Sequence, residues 1–170
     1  EIIPNGINLD DYENINFISK NKYMKKYSKK DISPSKIIVS MGRIQKVKGF
    51  DILIKSFKSI LSTYPSAVLL IAGDEENKKE NVKSSLEILI KENLLEKNVF
   101  FTGILNGQDK IDFLANADLF VLSSHYENFG NVYVESLAAG TPIIASQNTP
   151  WKDVEEKKCG KWVKNDVDET

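Results

Sequence analysis

The sequence holds one cysteine, one histidine and one arginine in 170 residues. Cys159 alone cannot close an internal disulfide. With His125 as the single imidazole, neither a cysteine-based zinc site nor a multi-histidine metal centre can be assembled. So little thiol fits a reducing, cytoplasmic setting. Charge of one sign is also lacking: 23 basic residues face 24 acidic ones, a net charge of −1, so no chain-wide positive field draws nucleic acid or anionic lipid. Any bound anion must be held locally. No apolar run approaches the roughly 20 residues of a spanning helix. The opening residues Glu1, Ile2, Ile3 and Pro4 carry neither an initiator methionine nor a signal-peptide pattern, as expected of an excised piece.

What is present is enough for a packed core: 41% of residues are apolar and 28% charged, the balance of a globular domain. At this length a chain buries roughly two-thirds of its unfolded surface. One domain is expected. Short runs rich in Ile, Val and Leu recur at 36–42 (KIIVSMG), 67–73 (AVLLIAG), 98–103 (NVFFTG), 118–123 (DLFVLS) and 141–146 (TPIIAS). Continuous rather than alternating apolar character predicts strands covered on both faces, as in a parallel sheet. Between them, three-and-four spacing predicts helices over 50–61 and 81–95, with shorter ones over 108–115 and 131–139. The alternation reads as an α/β fold: an open, mostly parallel sheet with helices on both faces. The lysine-rich stretch 21–30 reads most simply as the solvated face of a helix.

In such sheets ligands sit beyond the carboxyl ends of the strands, so candidate chemistry is sought in those loops. The first strand runs into Gly42 and Arg43, then reaches Lys48 and Gly49. Among 23 basic residues the sole guanidinium stands where a bidentate grip on phosphate is possible, and Lys48 can bring a second positive charge. Pairing of Arg43 with a structural acid is the competing reading. After the fourth strand, Glu127, Asn128, Phe129, Gly130, Asn131 and Val132 lead into an apolar helix. A helix start presents backbone N–H groups and a positive dipole end, a second anion seat if it faces the Arg43 loop. The alternative is a plain helix capped by Asn128 or Asn131.

Glu135 is the odd residue of that helix. A carboxylate withdrawn from water needs a partner, and two explanations stand side by side. One is the pair of hydroxyls of a ribose, which two carboxylate oxygens can accept. The other is a buried ion pair with Lys48 or Arg43. His125 reads as a hydrogen-bonding residue rather than a base, Cys159 as a small structural residue, and Trp151 and Trp162 as packing groups.

Taken in order, the segments at 3–8 (IPNGIN), 42–49, 72–74 (AGD), 99–103 (VFFTG), 127–135 and 140–146 closely resemble the group 1 (family 4) glycosyltransferases over almost the whole chain. Glu127 and Glu135 match that family's E-x7-E pair. The resemblance implies a Rossmann-like, C-terminal donor-binding half of the two-domain GT-B fold, with residues 1–170 a single nucleotide-sugar-binding domain. It further implies that an N-terminal acceptor domain and a closing C-terminal helix lie outside this sequence. By that likeness Arg43, Lys48 and Glu127 are the catalytic residues. Gly42 and the stretch from Asn128 through Phe129, Gly130 and Asn131 to Val132 hold the donor's sugar and phosphates. Thr102, Gly103 and Ile104 meet the base, and Glu135 holds the ribose. The implied donor is a UDP- or GDP-sugar, the outcome retention at the anomeric carbon, and no metal or other cofactor is required. The acceptor would be a glycan or lipid-linked saccharide met through the other domain, with the full-length protein in the cytoplasm, including the inner membrane face. The stretch 149–162 is similar to relatives that build bacterial surface polysaccharides. Where the family often has Glu-Gly-Phe-Gly, position 128 is Asn, which bears on sugar preference. A non-catalytic nucleotide-binding module and a GT-B epimerase or phosphorylase are the competing readings, and the E-x7-E spacing favours transfer. The chain alone is expected to bind donor but not to catalyse.

Overall fold

The computed structural model describes residues 6–77 and 80–167. Ile3, Pro4 and Asn5 of the first motif lie outside the described residues. Five apolar runs form strands where continuous hydrophobicity predicts them: β1 (Ile37–Met41), β2 (Val68–Ala72), β3 (Val99–Gly103), β4 (Leu119–Leu122) and β5 (Ile143–Ser146). A sixth, β6 (Gly160–Val163), follows. All pairings are parallel and the order is β3-β2-β1-β4-β5-β6, so the winding direction reverses between β1 and β4. The helices are α1 (Lys20–Ser28), α2 (Phe50–Ile60), α3 (Val82–Glu92), α4 (Gly107–Ala115), α5 (Asn131–Ala138) and the short α6 (Asp153–Glu156).

The core explains the sequence pattern. Every residue of β2 is buried, which requires cover on both faces and accounts for its unbroken VLLIA. α2 seals one side through Phe50, Leu53, Ile54 and Phe57. α3 adds Val82, Leu86 and Ile90. Strand β6 escapes prediction because its four residues GKWV form no apolar run; Gly160 is needed there, since a Cβ would lie 2.3 Å from the Ile143 carbonyl oxygen.

The lysine-rich helix is not simply a solvated face. Tyr23 and Met24 are wholly buried, and Tyr27 nearly so. The Tyr23 hydroxyl donates to the Phe113 carbonyl at 2.8 Å, the Tyr27 hydroxyl donates to the Asp109 carbonyl at 3.0 Å, and both rings pack on Phe113. The lysines around them occupy the outer side only, so one helix carries both a basic surface and an aromatic anchor.

Asp112 of α4 fastens the N-terminal segment. Its carboxylate accepts from the Asn16 backbone N–H at 3.1 Å, from the Asn16 side-chain amide at 3.1 Å and from Gln108 at 2.7 Å. Burial alone would raise the Asp112 pKa, but the Gln108 and Asn16 donors outweigh it and hold the group below the usual carboxylate range. A folded value below the unfolded one means that ionisation stabilises the fold above about pH 4, and that this contribution is lost as pH falls through the depressed folded value. Asp112→Asn should therefore cost about 1–2 kcal/mol at pH 7. Chemical denaturation should show the two proteins converging in stability toward pH 3; a constant difference at both pH values would assign the effect to shape instead of charge.

Candidate active site

The reversal between β1 and β4 splays the loops that leave their carboxyl ends, and a crevice opens there. Two glycines let the backbones close around it. Gly73, at φ 138°, passes so near β1's end that a Cβ would stand 1.9 Å from the Gly42 carbonyl oxygen. Gly49, at φ 63°, ends the 3-10 turn Lys46–Lys48 and begins α2; a Cβ there would stand 1.8 Å from the Ser123 carbonyl oxygen. The His125 backbone N–H donates to the Val47 carbonyl at 2.8 Å, lacing the same two loops together. The loop after β1 and the loop after β4 are thus one structural unit.

Their side chains converge. A cavity of about 460 Å³ is lined by Gly42, Arg43, Lys48, Glu127, Asn128, Phe129, Gly130, Asn131 and Val132. Lys48 and Glu127 form a close ion pair within it, both side chains largely shielded, and the Ser124 hydroxyl donates to the same Glu127 oxygen at 2.9 Å. Arg43 makes the structural-acid contact anticipated as the competing reading, but loosely. Its Nη1 lies 3.0 Å from Glu76, with both side chains about two-thirds exposed. Such a surface pair is worth about 0–1 kcal/mol, so the guanidinium is readily redirected toward an incoming anion.

The start of α5 is not a plain capped helix. Its N-cap is Gly130 at φ 75°, which has no side chain to cap with. The Asn128 amide oxygen instead accepts from the Tyr126 hydroxyl. Tyr133 pins the helix below the crevice by donating to the Leu122 carbonyl at 2.9 Å. Its phenol is pushed up by burial first and then by the Glu127 charge, so it stays a proton donor. Trp151 donates to the Phe129 carbonyl at 2.5 Å, with its ring 5.3 Å from that of Phe129 and 5.4 Å from that of Tyr133. It packs, as expected, yet it packs directly beneath the site loop, a role that its distance in sequence conceals.

A second cavity of about 410 Å³ continues the crevice past Arg43 to Gly73, Ile104 and Leu105. Met41, Gly42 and Arg43 line both cavities. Thr102 and Gly103 end β3 just before Ile104, a residue 66% exposed that offers an apolar platform. Glu135, one turn along α5 from Asn131, lines neither of them. It opens onto a third, polar cavity of about 550 Å³ with Asn8, Asp10, Asp11, Tyr12, Gln108 and Lys110. Its ion-pair partner is Lys110, at 2.7 Å, instead of Lys48 or Arg43. Sequence reasoning misses Lys110, because a lysine among the polar residues at the start of α4 gives no signal beyond ordinary helix polarity. His125 makes a hydrogen-bonding contact, with Nδ1 3.2 Å from the Asn165 amide nitrogen. Among the described residues no group of three or more His, Cys, Asp or Glu side chains is placed to hold a metal ion. No helix among them is long and apolar enough to cross a membrane.

Comparison with known proteins agrees with this architecture. The family model described as Glycosyl transferases group 1 matches residues 20–169. The capsular polysaccharide biosynthesis glycosyltransferase CapM of Staphylococcus aureus is 34% identical over 145 residues, covering 85% of this chain and 35% of that protein. The structure of Anabaena Alr3699/HepE in complex with UDP-glucose superposes with a TM-score of 0.79 at 23% identity, covering 96% of this chain and 43% of that one. A group 1 C-terminal domain from Francisella tularensis, LpcC, gives a TM-score of 0.77 at 23% identity, covering 96% of this chain and 83% of that one. The chain spans between 25% and 38% of the length of the curated relatives it matches. By family match the chain belongs to the group 1 glycosyltransferases, and its fold is that of the C-terminal domain of a group 1 protein.

Proposed function

We propose that this chain binds the nucleoside-diphosphate-sugar donor of a retaining glycosyltransferase, and that the full-length protein works in bacterial surface-polysaccharide synthesis. One observation carries the reading: Arg43, Lys48 and the N-terminus of α5 converge on a single crevice at the reversal of the sheet. As the bond between the anomeric carbon and the β-phosphate oxygen breaks, its electron pair goes to the diphosphate. Two cationic side chains and a helix dipole then stabilise the departing charge. In this reading those groups supply the positive charge and no metal cofactor is needed. Glu127 leaves its pair with Lys48 to meet the donor sugar, beside Asn128 and the 129–132 backbone. The base lies on Ile104 next to Thr102 and Gly103, and the ribose hydroxyls meet Glu135.

The resemblance to a capsule-building relative supports the pathway, and that relative is almost three times longer than the matched region, which leaves room for acceptor recognition elsewhere in the full-length protein. The acceptor, a glycan or lipid-linked saccharide, is bound there, so the 170-residue chain takes up donor without transferring sugar. Calorimetric titration with UDP, GDP and ADP, and with the matching sugar nucleotides, tests the reading. Uridine or guanosine diphosphates should bind and adenosine diphosphate should bind least. Glu135→Gln should reduce ribonucleotide affinity about tenfold or more while sparing the 2′-deoxy analogue, the scale of a lost charge-assisted bond. Equal losses for both analogues would make Glu135 a structural residue only.

A further inference from the structure

We infer that Lys110 is a specificity-setting residue that keeps Glu135 aimed at the ribose, so that discrimination between ribo- and deoxyribonucleotides rests on a pair of residues. The inference rests on the ribose reading of Glu135 above. Glu135 sits on α5 and Lys110 on α4, two helices packed against each other, and Lys110 Nζ reaches one Glu135 oxygen at 2.7 Å. The side chains are 28% and 18% exposed, for Lys110 and Glu135 respectively, shielded enough for the contact to hold and open enough for a ligand to reach it. An ionised carboxylate offers about four lone-pair sites. One ammonium occupies one of them, leaving acceptors for two adjacent hydroxyls.

The surroundings make Lys110 necessary. Asp10 and Asp11 line the same polar cavity, and Lys110 is the one cation among its described lining residues. Without it, Glu135, Asp10 and Asp11 would line one space with no cation between them, and repulsion would turn Glu135 away from its neighbours. That turn removes the acceptor geometry that a vicinal diol needs. Tyr12, in the same cavity, has its phenol pushed up to about 12 by burial first, then by the Glu135 and Asp11 charges. It therefore remains a neutral donor and does not replace the missing cation. The pair also explains why an ionisable residue is tolerated on an otherwise apolar helix before any nucleotide arrives.

The test compares UDP with 2′-deoxy-UDP, or GDP with 2′-deoxy-GDP, whichever base binds more tightly to the native chain. Lys110→Met should collapse the ribo-to-deoxy affinity ratio by about fivefold or more, the scale of coupling between contacting neighbours. Lys110→Arg should restore it. A ratio unchanged in Lys110→Met, or equal losses for both nucleotides, would overturn the inference, the latter because Lys110 would then act only as a long-range attraction for phosphate. Melting temperatures of both variants report folding, and the arginine variant keeps the test readable if the methionine variant is unstable. Glu135→Gln separates the two levels. If it collapses the ratio and Lys110→Met does not, only the role of Lys110 fails; if neither changes the ratio, the ribose reading fails with it.

Discussion

Gly49→Ala should lower stability by more than about 3 kcal/mol and abolish diphosphate binding together with it. Two penalties combine at this position. A left-handed backbone costs an L-residue about 1–2 kcal/mol. A Cβ 1.8 Å from the Ser123 carbonyl oxygen is an impossible contact that only backbone movement can relieve. The movement separates the loop after β1 from the loop after β4, which is the contact that assembles the crevice. Gly140 provides the internal control: its φ is 83°, yet nothing lies within 4 Å of the place a Cβ would take. Gly140→Ala should therefore show the conformational penalty alone, a fall in Tm of about 2–8 °C for a domain of this size, with nucleotide binding retained. Similar losses of stability and binding in both variants would mean that the approach of Gly49 to Ser123 does not organise the site.

The two cations of the crevice should behave differently when removed, because their partners differ. Arg43 gives up only an exposed contact with Glu76, so Arg43→Ala should leave stability nearly unchanged and weaken diphosphate binding about 10- to 150-fold, the equivalent of about 1.5–3 kcal/mol. Lys48 neutralises Glu127 in a largely shielded pair. Lys48→Met leaves that carboxylate uncompensated, which should cost about 1–3 kcal/mol of stability, less than a fully buried pair because some solvent reaches it. It also places a negative charge where the diphosphate must sit, so binding should fall further than in Arg43→Ala. Adding Glu127→Gln to Lys48→Met should recover stability and part of the diphosphate affinity. Strict additivity of the two changes, measured by denaturation and by UDP titration, would show that the pair is not energetically coupled.

Much of this is legible in the sequence because parallel strands packed between helices are mostly apolar, most fully so in β2, and each of β1 to β5 stands out as such a run. The loops are legible for the same reason: once strand ends are known, Arg43, Lys48 and Glu127 fall where ligands bind. The partnerships are not. Arg43 and Glu76 are 33 residues apart, Lys48 and Glu127 are 79 apart, and Lys110 and Glu135 are 25 apart. Those contacts are created by the strand order, which no local pattern encodes. The buried face of α1 is hidden likewise, since Tyr23 and Tyr27 stand among lysines whose charge dominates the local composition. β6, partly covered at the sheet edge, has only Trp162 and Val163 as large apolar residues and so gives no run to read.

Amide chemical shifts of the uniformly ¹⁵N-labelled chain, followed as UDP or GDP is added, test the central claim most directly. Saturable shifts should cluster at Gly42, Arg43, Lys48, Ile104 and along 127–132, and should weaken in Arg43→Ala. Saturable shifts confined instead to the opposite end of the sheet, around Lys36, Tyr64 and Asp118, would contradict it.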